Sequence, residues 1–137
     1  MENSLIFRNN YPGIEQSIII KSQFRNMNNV VTDYEMCNEP EDKVSFWHMV
    51  TRGRCLFDDI KTERQASNYG KLNIFKDIFE KRCLNTAVTH GTCNYREGAD
   101  NLEEAITEIG EKYGSRVYDR IFEKFNIIEF KGKSFRK

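Results

Sequence analysis

The chain has 137 residues, a length for one domain with room for a real core but not for two independent ones. Apolar residues make up 39% and charged residues 31%, the balance of an ordered chain, and no apolar run reaches the roughly 18 residues of a membrane span. Lysine plus arginine equals aspartate plus glutamate at 21 each, which excludes a global field drawing in nucleic acid or membrane.

Met1-Glu2-Asn3-Ser4 shows neither the basic flank nor the apolar stretch of a secretory signal, so an intracellular setting, cytoplasmic or nuclear, is expected. Ser4 to Phe7 is strand-sized, and Tyr11-Pro12-Gly13 is a turn, since Pro fixes φ and Gly accepts positive φ. Ile14 to Phe24 is β-branched in its middle, and Val30 to Met36 alternates loosely; both read as strand. Glu39-Pro40-Glu41-Asp42 ends this section and caps the next element, while Val44 to Val50 fits strand or helix equally. Residues 1–49 are thus expected to be β-rich.

Beyond residue 55 the helical signal dominates. Asp58 to Ala66 reads as a helix, and Leu72, Phe75, Ile78, Phe79 and Cys83 form the apolar stripe of another. Asp100 with Glu103 has capping-box spacing. Leu102, Ala105, Ile106, Ile109 and Tyr113 then lie on one face of a 3.6-period helix, with Gly114 at its C′ position. Ser115 caps a second helix with the stripe Val117, Tyr118, Ile121, Phe122 and Phe125.

An internal repeat ties these parts together. Val50-Thr51-Arg52-Gly53-Arg54-Cys55 returns as Val88-Thr89-His90-Gly91-Thr92-Cys93, and each copy leads to a Tyr-Gly pair (Tyr69-Gly70, Tyr113-Gly114). Ile-Phe-Glu-Lys follows in turn at residues 78–81 and 121–124, and Lys131-Gly132-Lys133 echoes the Gly turn. A period of about 40 suits a stacked unit that cannot bury its apolar face alone. The expected architecture is a single α+β domain. Its β-rich section (1–49) packs on two related turn-plus-helix-pair units (50–87 and 88–137), and the end returns as a strand before a basic tail.

The turns differ between copies, and that difference is where function is expected. Arg52 and Arg54, and likewise Lys131 and Lys133, set two cations about a Gly, a tip suited to phosphate. Arg136 and Lys137 extend the last tip, with Phe130 and Phe135 interleaved to stack on bases. The leading reading is a small non-catalytic binding module for nucleic acid or a protein partner, with no membrane role and an open oligomeric state. For a protein partner, the acidic run from Asp100 to Glu111, with Glu104 and Glu108, is the expected surface.

No cofactor is expected, with a structural zinc held by Cys55, Cys83, His90 and Cys93 as the alternative, since three Cys and one His are a known tetrahedral set. The enzymatic alternative is a metal-dependent nuclease or phosphodiesterase. Glu129-Phe130-Lys131 resembles the Glu-x-Lys strand of metal-dependent nucleases, which implies a metal-binding Glu129, a phosphate- or water-steadying Lys131, and Asp119 or an N-terminal carboxylate as second ligand. Richness in Asn, Lys, Ile and Phe is a composition that AT-rich genomes, viral ones among them, produce.

Overall fold

Asn and Pro set the starts of three helices. The Asn26 side chain accepts the Asn28 amide at 3.0 Å and opens α1 (Met27–Glu35). Pro40 occupies the first turn of α2 (Pro40–Thr51), where Asp42 accepts the Glu39 amide at 3.3 Å, the cap expected there. Asn73 accepts the amides of Phe75 at 3.0 Å and Lys76 at 3.4 Å to open α3 (Ile74–Leu84). These details come from a computed structural model that describes residues 4–9, 23–67, 73–94 and 102–130, with the backbone alone for 4–9, 129 and 130.

The strands are β1 (Ser4–Asn9), β2 (Gln23–Asn26), β3 (Cys55–Asp58), β4 (Thr89–Asn94) and β5 (Phe125–Phe130), preceded in the last case by α4 (Leu102–Tyr113) and α5 (Ser115–Lys124). They form one sheet in the order β2-β3-β4-β1-β5. β2, β3 and β4 are parallel, and β1 lies antiparallel to both β4 and β5. β5 therefore points the same way as β3, and β1 alone is reversed. The class is mixed helix and strand with a C-terminal strand, as the sequence implied.

Neighbouring helices touch in the succession α1, α2, α3, α5, α4, so they make one layer over the sheet, as one-handed crossovers between parallel strands require. Cys55 and Phe57 of β3 face that layer: Phe57 meets Phe75 of α3 edge-on at 5.6 Å, and Phe79 stacks on Phe125 at 5.3 Å. The register places Phe24, Leu56 and His90 in one cross-strand row on the other face. Leu56 is accordingly buried yet stands outside the main apolar cluster. α4 buries Ala105, Ile106, Ile109 and Tyr113 as its spacing demanded, and Gly114 turns the chain at φ +98°. Gly110 is where α4 and α5 come closest, since a Cβ there would lie 2.9 Å from Tyr118 Cδ2.

Five expectations fail. Ser115 does not cap α5 but is its first residue, with Gly114 in the N-cap position and no side-chain cap. Val30 to Met36 is not a strand but lies mostly in α1, with Val30, Val31 and Tyr34 buried on one helical face, so the section 27–51 is helical and 1–49 is not mainly strand. Asp58 to Ala66 is not a helix: β3 ends at Asp58, and Asp59 (φ +58°) and Lys61 (φ +80°) hold a backbone that no right-handed helix contains. Phe122 is exposed rather than part of the buried stripe of α5. Finally, the two Gly turns are not structural equivalents. Residues 50–55 close α2, turn and enter β3, whereas His90-Gly91-Thr92 lies within β4, and the register pairs Cys55 with Thr89 rather than Cys93. Tyr69-Gly70, the capping residue Asp100 and most of the stretch from Ile14 to Phe24 lie outside the described residues.

The segment 59–67 is irregular but tightly held at the carboxyl end of β3. The Lys61 amide donates to the Tyr113 hydroxyl at 2.7 Å, and that hydroxyl donates to the Glu63 carboxylate. Lys112 donates to the carbonyls of Lys61 at 2.7 Å and Glu63 at 2.8 Å, and Lys61 pairs with Glu108 at 3.0 Å. Burial pushes both the Glu63 carboxyl and the Tyr113 phenol above their ordinary pKa values. At the far end Arg64 donates to Glu35 at 2.7 Å, and Glu35 also accepts the Ser67 amide at 2.8 Å.

Candidate nucleic-acid interface

A helix leaves its last carbonyls without partners, and the end of α2 together with the turn that follows it presents three carbonyls, of Val50, Arg52 and Gly53, before β3. They are collected by Arg82, a residue of α3 with 0% exposure. Its Nη1 donates to Val50 O at 3.0 Å and Arg52 O at 3.3 Å, and its Nη2 to Gly53 O and to Val88 O at 2.8 Å. Its Nε donates to Thr89 Oγ1 at 2.8 Å. The guanidinium fork is thus occupied on every nitrogen, by carbonyls and a hydroxyl rather than by a carboxylate. A cation at a helix C-terminus also meets the negative end of the helix dipole. Burial lowers the pKa of Arg82, with the Cys55 thiol acting the other way and Arg25 adding to the decrease. A guanidinium so far above neutral pH keeps its charge.

Above this anchor stands the tip Arg52-Gly53-Arg54. Gly53 takes φ +74° in open space, with nothing within 4 Å of where a Cβ would sit, so backbone conformation alone selects glycine. Arg52 is exposed and Arg54 half-buried. The Gln23 amide donates to Arg54 O at 2.8 Å and fastens the tip to edge strand β2. One residue further along β2, Phe24 is 68% exposed, in the same cross-strand row as Leu56. The result is a fixed mount carrying two arginines beside an exposed aromatic ring.

Lys131, Lys133, Arg136 and Lys137 lie outside the described residues, and Phe130, which precedes them, ends β5 at the end of the sheet opposite the tip. Glu129 is in β5 opposite Leu5, and Asp119 is exposed on α5. Of the acidic run, Glu108 is committed to Lys61 and so does not form a free surface charge.

The zinc set is not assembled. Cys55 is level with Thr89, so Cys93 lies four residues further along β4, about 13 Å away, where sulfurs about 2.3 Å from one ion cannot both reach it. Among the described residues no group of three or more His, Cys, Asp or Glu side chains is placed to hold a metal ion. Burial pushes the Cys93 thiol up to about 12 and also raises Cys83, which keeps both protonated. His90 is fully buried within β4, and His48 is exposed on α2.

Arg82 is the residue that sequence reasoning passed over, although a signal existed. Phe75, Ile78, Phe79 and Arg82 stand at i, i+3, i+4 and i+7, which puts a cation on the apolar face of α3. No protein family matches the chain, and neither a curated protein nor a solved structure is similar to it. Among the described residues no helix is long and apolar enough to cross a membrane.

Proposed function

We propose that the protein is a non-catalytic binding module that holds the phosphate backbone of single-stranded nucleic acid on the Arg52-Gly53-Arg54 tip. The supporting observation is the mount: three carbonyls of the turn are fixed from beneath by the buried Arg82 guanidinium. A cation already held in place loses less freedom on binding than one on a loose loop. Arginine suits phosphate through its planar fork of donors, and Phe24 offers a face on which a base can stack.

The test is a titration of labelled single- and double-stranded oligonucleotides from 50 to 200 mM salt. Each phosphate contact on a single strand contributes about 0.7 to the salt slope, so Arg52→Ala with Arg54→Ala should lower it by about 1.4 and weaken binding. Phe24→Ala should cost about 1–3 kcal/mol on single strands and much less on duplex. An unchanged slope in the double arginine variant would remove the reading.

A further inference from the structure

α1 and α2 pack through Tyr34 and Phe46, whose rings meet edge-on at 5.2 Å. Outside that contact, a groove of about 350 Å³ runs between the two helices, lined by Asp33, Met36, Cys37, Asp42, Phe46 and Met49 among others. That volume lies within the range of sites that accept ligands. Its apolar walls face solvent: Met36 is 70% exposed and Met49 39%. Methionine is unbranched and polarisable, so such walls adapt to the shape of what enters. The Cys37 thiol lies within hydrogen-bond reach of the carbonyls of Asp33 in α1 at 3.3 Å and Asp42 in α2 at 3.6 Å, and its single proton serves one of them at a time where the two helices meet at the groove.

Charge narrows the choice of occupant. Residues 27–51 carry Asp33, Glu35, Glu39, Glu41 and Asp42 against Lys43 alone, in a chain whose overall charge is zero. Arg64 neutralises Glu35, which leaves the other four carboxylates, and the two that line the groove, Asp33 and Asp42, come one from each side. No cation lines it. A phosphate-bearing ligand is therefore repelled, and an apolar group flanked by positive charge is favoured.

We infer that this groove is a docking site for a short peptide segment of a partner protein, with a large apolar residue between lysines or arginines. The apolar residue enters between Met36 and Met49 over Phe46, and the flanking cations reach Asp33 and Asp42. The site is independent of the arginine tip. The groove runs along α2 from Asp42 to Met49, and none of its lining residues belongs to the tip, which begins at Arg52 after the last residue of the helix.

The experiment uses the full chain and three labelled hexapeptides: Lys-Arg-Leu-Leu-Arg-Lys, its acidic counterpart Glu-Glu-Leu-Leu-Glu-Glu, and Lys-Arg-Ser-Ser-Arg-Lys. The first should bind saturably, at least tenfold tighter than either other. Asp33→Asn and Met36→Ser, both at exposed positions, should each weaken it at least threefold without shifting the thermal midpoint, while Arg52→Ala with Arg54→Ala leaves it unchanged. Saturating peptide should also slow alkylation of the half-buried Cys37 by iodoacetamide several-fold. Equal binding of the basic and acidic peptides, indifference to Asp33→Asn and Met36→Ser, or unprotected Cys37 would overturn the assignment.

Discussion

Arg82 shows how one buried charge can organise a turn that has no regular structure of its own. A buried cation is costly unless its donors are used, and here the end of α2, the start of β4 and the turn between α2 and β3 all supply acceptors. Arg82→Met should destabilise the fold by about 3 kcal/mol or more, because it leaves several buried carbonyls without a donor. Arg82→Lys should recover only part of this, since an ammonium cannot reproduce the planar fork. Urea unfolding midpoints of the unaltered chain and the two variants check both statements, and a midpoint unchanged by Arg82→Met would contradict them. The residue type and its place on the apolar stripe were visible in the sequence. Three of its acceptors were not, because Val50, Arg52 and Gly53 lie about 30 residues away.

The elements were legible where local chemistry fixes them. α4 carries its whole apolar face within twelve residues and could be read directly, whereas for α2 only the capped start at Pro40 was legible, its body from Val44 to Val50 fitting strand as well as helix. α1 could not: nine residues containing Val30, Val31, Thr32 and Tyr34 have strand-like propensity, and packing against α2 decides in favour of helix. The segment 59–67 could not be read either, since its partners Glu108, Lys112 and Tyr113 are about 50 residues distant. Tyr113→Phe leaves the Lys61 amide without its acceptor and takes the hydroxyl donor from the Glu63 carboxylate, which keeps its ion pair with Lys112 at 3.6 Å. It should cost about 1–3 kcal/mol and speed hydrogen exchange at the Lys61 amide. Slow exchange retained in that variant would show that the segment is held by other means.

For the whole molecule, acid sensitivity follows from the tether between segment 59–67 and α1. The Arg64 guanidinium holds the Glu35 carboxyl at about 2, below its ordinary 4.5. A lowered folded-state pKa means the folded chain resists protonation. This contribution is complete above about pH 4.5 and is lost as pH falls toward 2. Arg64→Ala should therefore flatten the decline of the urea midpoint across that interval while leaving the profile above pH 5 parallel. The repeat, by contrast, was a feature of the sequence whose halves fold differently: Ile78 to Lys81 and Ile121 to Lys124 both lie in helices, but the Gly turn is a tip in one stretch and mid-strand in the other. Of the six basic positions read as one kind of surface, only Arg52 and Arg54 lie among the described residues, and the end of β5 that precedes the others is at the end of the sheet opposite the tip.

β1 has a consequence for how the protein assembles. Arg8 pairs with His90 and with Asn126, roughly 80 and 120 residues along the chain, whereas β2, β3 and β4 are joined by short helical crossovers. The parallel trio can form from neighbouring segments, but β1 has no partner until β4 has been made, and β5, which pairs only with β1, joins the sheet through it. On a ribosome, the strand made first therefore waits for the fourth, and the last strand has no edge to join until the first is in place.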